Sequence, residues 1–260
     1  IDMDKCVNLS VLSMSHNELK RLDLTNFKKL MAIYLNDNPF TAETPLIIGK
    51  DKPELSILEI SIVDYLDPAF NLSDYPKMLA FDGYHCTSLK YVDPTGCPNL
   101  MRLSIDVTPV KTIDVTKNPN LLILNISDTG IEEVDLSKNP YLTELYCTHE
   151  SGSYNNGVKI KELDITHNPE LQYLFCSNNA LTTLDITKCA KLINLYASNN
   201  YLTSIDVSQC PNLYNVKING NCMDFNTIPL DPGTWGEYEY GQRPFEVAKS
   251  FKVGDKIDMS

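Results

Sequence analysis

The chain has few positive charges and no long apolar run. Its 260 residues include 22 lysines and arginines against 34 aspartates and glutamates, which gives a formal net charge of −12. Such a charge repels nucleic acid and anionic lipid. Uninterrupted apolar stretches of about eighteen residues, the length that can cross a bilayer, are missing. We therefore expect neither nucleic-acid binding nor membrane insertion.

Motifs for catalysis and metal binding are also missing. The eight cysteines form no C-x-x-C pair, and the His149-Glu150 dipeptide has no second histidine at the helical spacing of a zinc protease. We expect a solvated loop at these two residues. No nucleophile stands in a recognisable pattern with an acid or a base. The sequence therefore predicts a protein that is not an enzyme and has no metal or cofactor.

One unit repeats along most of the chain. Residues 171–191, LQYLFCSNNALTTLDITKCAK, align with residues 192–212, LINLYASNNYLTSIDVSQCPN. Ten copies begin at Leu9, Leu30, Leu55, Met78, Leu100, Leu121, Leu142, Leu171, Leu192 and Leu213. The longer copies carry extra residues at 41–54, 65–74 and 148–159. These segments are rich in Gly, Pro, Ser and Asn, so we expect loops at the rim of a stacked-coil fold.

Each unit opens with an alternation of apolar and polar residues that predicts a strand with one buried face. Leu174 and Cys176 are expected to point inward, while Tyr173 and Phe175 point outward. Asparagines stand where each strand ends, and a buried amide there can bond to the open backbone groups of the turn. This predicted asparagine ladder contains Asn17, Asn38, Asn179, Asn200 and Asn221, with Thr108 and Thr129 as replacements in two coils. The β-branched second half of the unit predicts a short strand or a 3₁₀ turn.

These residues resemble the leucine-rich repeats of bacterial surface proteins. The stretch LTTLDITKCAKLINLYASNNYLTSIDVSQCPNL is similar to the short, 21-residue, cysteine-containing repeats of internalins and to leucine-rich surface proteins of gut-type bacteria. The resemblance implies a leucine-rich-repeat solenoid, a right-handed, β-rich superhelix of the α/β horseshoe class, with a parallel concave sheet and about ten coils. It also implies an exported, adhesin-like protein, secreted or held at the cell surface. The opening residues, IDMDKCVNLS, show no signal segment, so the protein is either cytosolic or, as the resemblance implies, has lost its signal segment.

The expected organisation is a repeat array between two caps. We place an N-terminal cap at residues 1–8, the array at residues 9–222, and a C-terminal cap at residues 223–260 that is also a possible junction to a following β module. Caps are needed because each end coil would otherwise expose half of its core. Trp235, the single tryptophan, lies beyond the last coil and is expected to cover that end.

Three columns of side chains leave alternatives open. Cys147 with Cys176, and Cys189 with Cys210, hold equivalent positions in consecutive coils. Disulfides between them are conceivable, but we expect reduced core residues because Leu, Ile and Ala fill the equivalent places. The aspartates at 114, 135, 164, 185 and 206 could bind calcium in a row. Hydrogen bonds to the backbone and to the Thr or Ser two residues later are the favoured alternative.

The strand alternation also predicts the binding face. One outward column runs through Tyr34, Glu59, Asp82, Ser104, Asn125, Tyr146, Phe175, Tyr196 and Lys217. Tyr146, Phe175 and Tyr196 are expected to form a contiguous aromatic stripe, which we take as the binding hot spot. Its expected neighbours are Glu144, Asn194 and Asn215, with Tyr173 and Tyr84 in adjacent columns and the insertion from His149 to Val158 at the rim.

The sequence thus favours a monomeric, non-enzymatic recognition module at the bacterial cell surface that binds a protein, peptide or glycan on the concave face. A structural spacer, which holds a neighbouring domain away from the surface, is the alternative. In that case the aromatic residues of the stripe would only pack on one another across the strands.

Overall fold

The alternating repeat produces one three-residue strand per coil. The computed structural model describes residues 5–68, 70–150 and 159–243. Its strands are β1 (Val11–Ser13), β2 (Leu22–Asp23), β3 (Ala32–Tyr34), β4 (Leu46–Ile47), β5 (Ile57–Glu59), β6 (Ala80–Asp82), β7 (Arg102–Ser104), β8 (Ile123–Asn125), β9 (Glu144–Tyr146), β10 (Tyr173–Phe175), β11 (Asn194–Tyr196), β12 (Asn215–Lys217) and β13 (Glu237–Glu239). Within the described residues, no helix has the length and apolar character of a membrane span.

Eleven strands form one sheet in the order β1-β3-β5-β6-β7-β8-β9-β10-β11-β12-β13, and every neighbouring pair is parallel. Each of the ten predicted copies contributes one of these strands, so the predicted solenoid with its parallel sheet is confirmed. The central residue of each three-residue strand from β1 to β12 is buried, and its neighbours on the outward side are mostly half-buried. One continuous hydrophobic core runs from Leu12 to Met223 beneath the sheet.

The opposite side of the coils carries little regular structure. β2 and β4 form a two-stranded parallel ladder there, and Leu72–Asp74 form a 3₁₀ turn. Two of the three predicted rim loops are therefore wrong. Residues 41–54 contain β4 and the fully buried Ile48, and residues 65–74 contain the 3₁₀ turn with its buried Leu72. Both segments are integral to their coils because their apolar residues fill the core.

The predicted asparagine ladder stacks beside the sheet. Asn200 donates to the carbonyl oxygens of Cys176 at 3.0 Å and Ala197 at 3.1 Å, and its own oxygen accepts from the Leu181 amide at 3.0 Å. Asn38, Asn179 and Asn221 repeat this arrangement and are buried. Thr108 and Thr129 donate instead to the carbonyls of Ile105 and Ile126. The prediction is wrong at Asn17, which is exposed because no earlier coil covers it.

A second ladder lies at the far corner of the coils. Asn118, Asn139 and Asn168 are fully buried, and each donates to two carbonyl oxygens of the preceding coil. Cys189 and Cys210 continue this column, with their thiols directed at the carbonyls of the coil before. The pattern N-P at the end of several repeats is the signal that sequence reasoning missed.

The same corner buries a lysine. Lys52 is 1% exposed, and its Nζ donates to the carbonyl oxygen of Leu24 at 2.7 Å. Burial lowers the pKa of this amine to about 8, partly offset by the carboxylates of Asp23 and Asp51. Lys52 therefore occupies the corner position of its coil and supplies the hydrogen-bond donor there, as the asparagines do in later coils.

A residue shortly after most strands of the sheet adopts a left-handed backbone. Asp128, Asn178 and Asn199 have φ between 53° and 60°, and Gly220 has φ of 70° in the following coil. Two β-branched residues, Ile62 with φ of 58° and Val107 with φ of 57°, share this conformation. Asn, Asp and Gly adopt it readily, whereas a β-branched side chain is strained there. The coil turn is thus imposed by the stacking even where the local residue opposes it.

The C-terminal end is covered by a further strand. β13 pairs with β12, and the partly buried Trp235 and Tyr238 pack against the last coil, with their rings 4.8 Å apart. This agrees with the expected position of Trp235. Residues 1–4 of the expected N-terminal cap and residues 244–260 of the expected junction lie outside the described residues. The division at residues 8 and 222 stays a prediction.

Candidate ligand-binding face

The predicted aromatic stripe is present on the outward side of the sheet. Strand register places Tyr146, Phe175 and Tyr196 side by side on β9, β10 and β11. The ring centroids of Tyr146 and Phe175 are 4.8 Å apart with planes at 15°, and those of Phe175 and Tyr196 are 4.7 Å apart at 74°. All three side chains are half-buried. We call these three residues the aromatic stripe.

Polar side chains flank the stripe in the adjacent column. Glu144 and Asn194 lie on either side of Tyr173, and Asn215 follows on β12. The Tyr146 hydroxyl donates to Glu144 Oε2 at 2.7 Å, and the Asn215 amide donates to Asn194 Oδ1 at 3.0 Å. Burial, together with the neighbouring Glu144 carboxylate, raises the pKa of Tyr146 to about 12. The phenol is therefore neutral at physiological pH, and the two amides hold each other in place.

A lysine closes the C-terminal end of the stripe. Lys217 Nζ lies 5.2 Å from the centroid of the Tyr196 ring and 2.7 Å and 3.0 Å from carboxylate oxygens of Glu237 and Glu239. Hydrogen bonds to these two glutamates raise the pKa of Lys217 above its ordinary value. Sequence reasoning placed Lys217 in the column but missed the glutamates, because β13 lies outside the repeat.

Other predicted site residues lie away from the stripe. Tyr34 is on β3 in the same column, but β5, β6, β7 and β8 separate it from Tyr146. Tyr84 is 39% exposed and follows β6, which β7 and β8 separate from β9. Tyr173 is half-buried beside Glu144 and Asn194 and does adjoin the stripe. The structure therefore brings together seven of the nine predicted site residues and leaves Tyr34 and Tyr84 apart.

The expectation of a solvated loop at His149 is wrong. This side chain is 4% exposed, and neither ring nitrogen has a hydrogen-bond partner. The backbone amide of His149 donates to the carbonyl oxygen of Ser177, and equivalent residues make the same bond in neighbouring coils. The stacking of the coils therefore buries the His149 side chain. Burial lowers the pKa of His149. Residues 151–158, the part of the insertion expected to close over a ligand, lie outside the described residues.

The aspartate column makes local turns instead of a shared site. Oδ1 of Asp114, Asp164 and Asp185 accepts hydrogen bonds from both the amide and the hydroxyl of the threonine two residues later. These bonds hold the pKa of each carboxyl below its ordinary value. Among residues 5–68, 70–150 and 159–243 no three His, Cys, Asp or Glu side chains are grouped so that they could hold a metal ion. The hydrogen-bonding alternative for this column is confirmed.

Comparison with solved structures identifies the architecture. The internalin inlF from Listeria monocytogenes has a TM-score of 0.61 and 18% identity, over 85% of this chain and 70% of that one. The chain has the leucine-rich-repeat fold. The ectodomain of the Arabidopsis thaliana receptor kinase GASSHO1/SCHENGEN3, solved in complex with CASPARIAN STRIP INTEGRITY FACTOR 2, shares this fold with a TM-score of 0.57 and 17% identity, over 83% of this chain and 30% of that one.

A further solved structure is similar at a lower TM-score. The functional domain of InlJ from Listeria monocytogenes has 23% identity and a TM-score of 0.42, over 87% of this chain. The leucine-rich-repeat chain described here spans 62% of that InlJ domain. No protein-family model and no curated protein matches the sequence.

Proposed function

We propose that this leucine-rich-repeat chain is a non-enzymatic recognition module that binds a protein, peptide or glycan on the outward face of its sheet. The observation that carries the proposal is the aromatic stripe, three half-buried rings in contact on three adjacent strands. Aromatic side chains are enriched among the few residues that carry most of the binding energy of an interface, and they bury much area. Because the three rings already pack on one another on paired strands, they lose less side-chain freedom when a ligand binds.

The proposal includes a location and an assembly state. We propose that the protein is exported and acts, as a monomer, in secreted form or at the surface of a bacterial cell. The fold similarity to a bacterial internalin and to a plant receptor ectodomain solved in complex with CASPARIAN STRIP INTEGRITY FACTOR 2 supports a recognition role. A spacer would tolerate any polar residues at the outward strand positions, whereas this face carries clustered aromatic rings with ordered polar neighbours.

The test combines a ligand screen with a triple variant. Arrays of glycans and extracellular proteins are probed with the protein, and its affinity for each array member that binds is measured. In the variant Tyr146→Ser/Phe175→Ser/Tyr196→Ser we expect affinity to fall at least about tenfold, because truncating one hot-spot residue costs about 2 kcal/mol.

A matched control removes three exposed rings outside the sheet strands. Tyr91, Tyr141 and Tyr201 are 62%, 56% and 42% exposed, and their replacement by serine is expected to leave affinity unchanged. Unchanged binding by a folded stripe variant would place the site elsewhere. No binding by the wild type to any array member would favour the spacer.

A further inference from the structure

The C-terminal end of the stripe shows how this face accommodates a cation. Lys217 lies over the Tyr196 ring and is paired with Glu237 and Glu239. An ammonium group over an aromatic face is attracted by the electron-rich ring, and nearby carboxylates add to that attraction. The chain itself thus supplies a cation for one end of its aromatic stripe.

The other end has the same parts without the cation. Tyr146 is the last ring, and its neighbour in the column is Asn125 where Tyr196 has Lys217. Glu144 accepts the Tyr146 hydroxyl, but no cation within the described ranges forms an ion pair with it. This end of the stripe therefore combines an electron-rich ring with an uncompensated carboxylate.

The distribution of charge across the sheet also favours a cationic ligand. The outward positions of the eleven strands carry five carboxylates, at Glu59, Asp82, Glu144, Glu237 and Glu239, and two cations, at Arg102 and Lys217. Both cations are already paired, since Arg102 lies 3.0 Å from Asp82 and Lys217 contacts the glutamates of β13. With a net charge of −12 on the whole chain, a basic ligand would be attracted at long range.

A carboxylate beside the Tyr146 ring favours a cationic ligand over a neutral one. The Asn215 amide donates to Asn194 Oδ1, which leaves the Asn194 amide hydrogens and Asn215 Oδ1 as neutral partners for any polar ligand. Glu144 retains Oε1 for a further donor, and a guanidinium presents several donors in one plane. The negative charge of this acceptor is the feature that a neutral sugar does not match.

We propose that the Glu144 and Tyr146 end of the aromatic stripe binds the arginine or lysine side chain of a basic peptide segment, with the cationic group over the Tyr146 ring and paired with Glu144. This assignment rests on the proposed function and names its ligand class. Phe175 and Tyr196 then contact the apolar residues next to the basic one, because they continue the same surface.

The test selects peptides from a phage-displayed random library on the intact protein. We expect the recovered peptides to be enriched in arginine or lysine relative to the unselected library. Replacement of the critical arginine by citrulline, which keeps the shape and removes the charge, is expected to weaken binding about tenfold. Glu144→Gln and Tyr146→Leu should each weaken binding of the arginine peptide by a similar factor and leave the citrulline peptide almost unaffected.

A matched pair away from the sheet controls for charge and ring loss. Glu133→Gln and Tyr141→Leu remove one carboxylate and one ring outside the strands, and should not change affinity. If the selected peptides bind the triple serine variant more weakly but tolerate citrulline replacement and Glu144→Gln, the cation site is wrong and the proposed recognition module still holds. The same conclusion follows if only glycans bind. Peptides that bind the triple serine variant as well as the wild type would overturn both.

Discussion

At the scale of single residues, stacked coils create an unusual demand for hydrogen-bond donors. Each turn leaves carbonyl oxygens of the preceding coil in the interior, where water cannot reach them. Asn118, Asn139 and Asn168 each donate to two such oxygens, and Lys52 donates to one. Buried polar groups cost little when paired and about 1 to 3 kcal/mol when left unpaired. The amide donors of the three asparagines are paired, whereas their Oδ1 atoms are buried without a partner. These residues therefore stabilise the array through their donors alone.

We predict that Asn200→Leu lowers the free energy of unfolding by about 1 to 3 kcal/mol. The leucine fills the space but leaves two carbonyls and the Leu181 amide without their present partners. Denaturant unfolding measures the change. Asn212→Leu is the control, because Asn212 is exposed and makes one bond, to the Ala190 carbonyl at 3.1 Å. Equal stability of the two variants would contradict the ladder.

Lys52 predicts a pH dependence of stability. The folded chain holds this amine at a pKa of about 8, against 10.5 as its ordinary value. Between these values the unfolded state binds more protons, so stability rises with pH across this window. We expect Lys52→Met to lack this contribution, because it carries no titrating amine. The measurement is the difference between wild-type and variant free energies of unfolding from pH 7 to 11, which cancels the other groups. Parallel profiles would show that Lys52 titrates normally.

At the scale of elements, the strand register could be predicted but the turns could not. The period of two in each repeat determines which side chains face the core, and every residue of the outward column lies where the alternation places it. β4 and β13 were not predicted, because each strand forms by pairing with another strand and has no local sequence pattern of its own. His149 was misassigned because its dipeptide resembles a polar loop, while the stacking of neighbouring coils buries it. Non-local contacts decide these three cases.

The left-handed turn after most sheet strands gives an element-scale prediction. Ile62 adopts φ of 58° with 43% of its surface exposed, so it is strained and contributes little packing. We expect Ile62→Asn to raise the free energy of unfolding by about 1 kcal/mol, since asparagine tolerates this backbone conformation. Ile62→Val keeps the β-branch and should give no increase. A loss of stability in the asparagine variant would mean that the Ile62 side chain packs more than its exposure indicates.

At the scale of the whole molecule, the array behaves as one continuous core with two ends. Each inner coil is covered by its neighbours, so side chains at equivalent positions share one environment from coil to coil. The eight cysteines lie both in the interior of the array and near its two ends. Cys86, Cys97, Cys147, Cys176, Cys189 and Cys210 are buried, whereas Cys6 and Cys222 are exposed. The thiols thus report separately on the ends and on the interior of the solenoid.

We predict that two thiols react rapidly in the native protein and six react only as the array opens. The thiolate is the reactive species, and burial raises the pKa of Cys147 and Cys189 to about 12, which suppresses it at neutral pH. Labelling with a chromogenic disulfide reagent at pH 7.5 measures the two phases, and labelling in denaturant without reductant should give eight thiols.

The variant Cys6→Ser/Cys222→Ser identifies the fast phase, which it should lack while keeping the slow one. Fewer than eight labelled thiols in the denatured wild type would mean that cysteines of consecutive coils are cross-linked, as export to an oxidising compartment would allow. A fast phase of more than two thiols would mean that inner coils open without global unfolding, so that the array is less cooperative than its shared core implies. The two readouts separate a chemical cross-link from local opening, because only the first changes the denatured total.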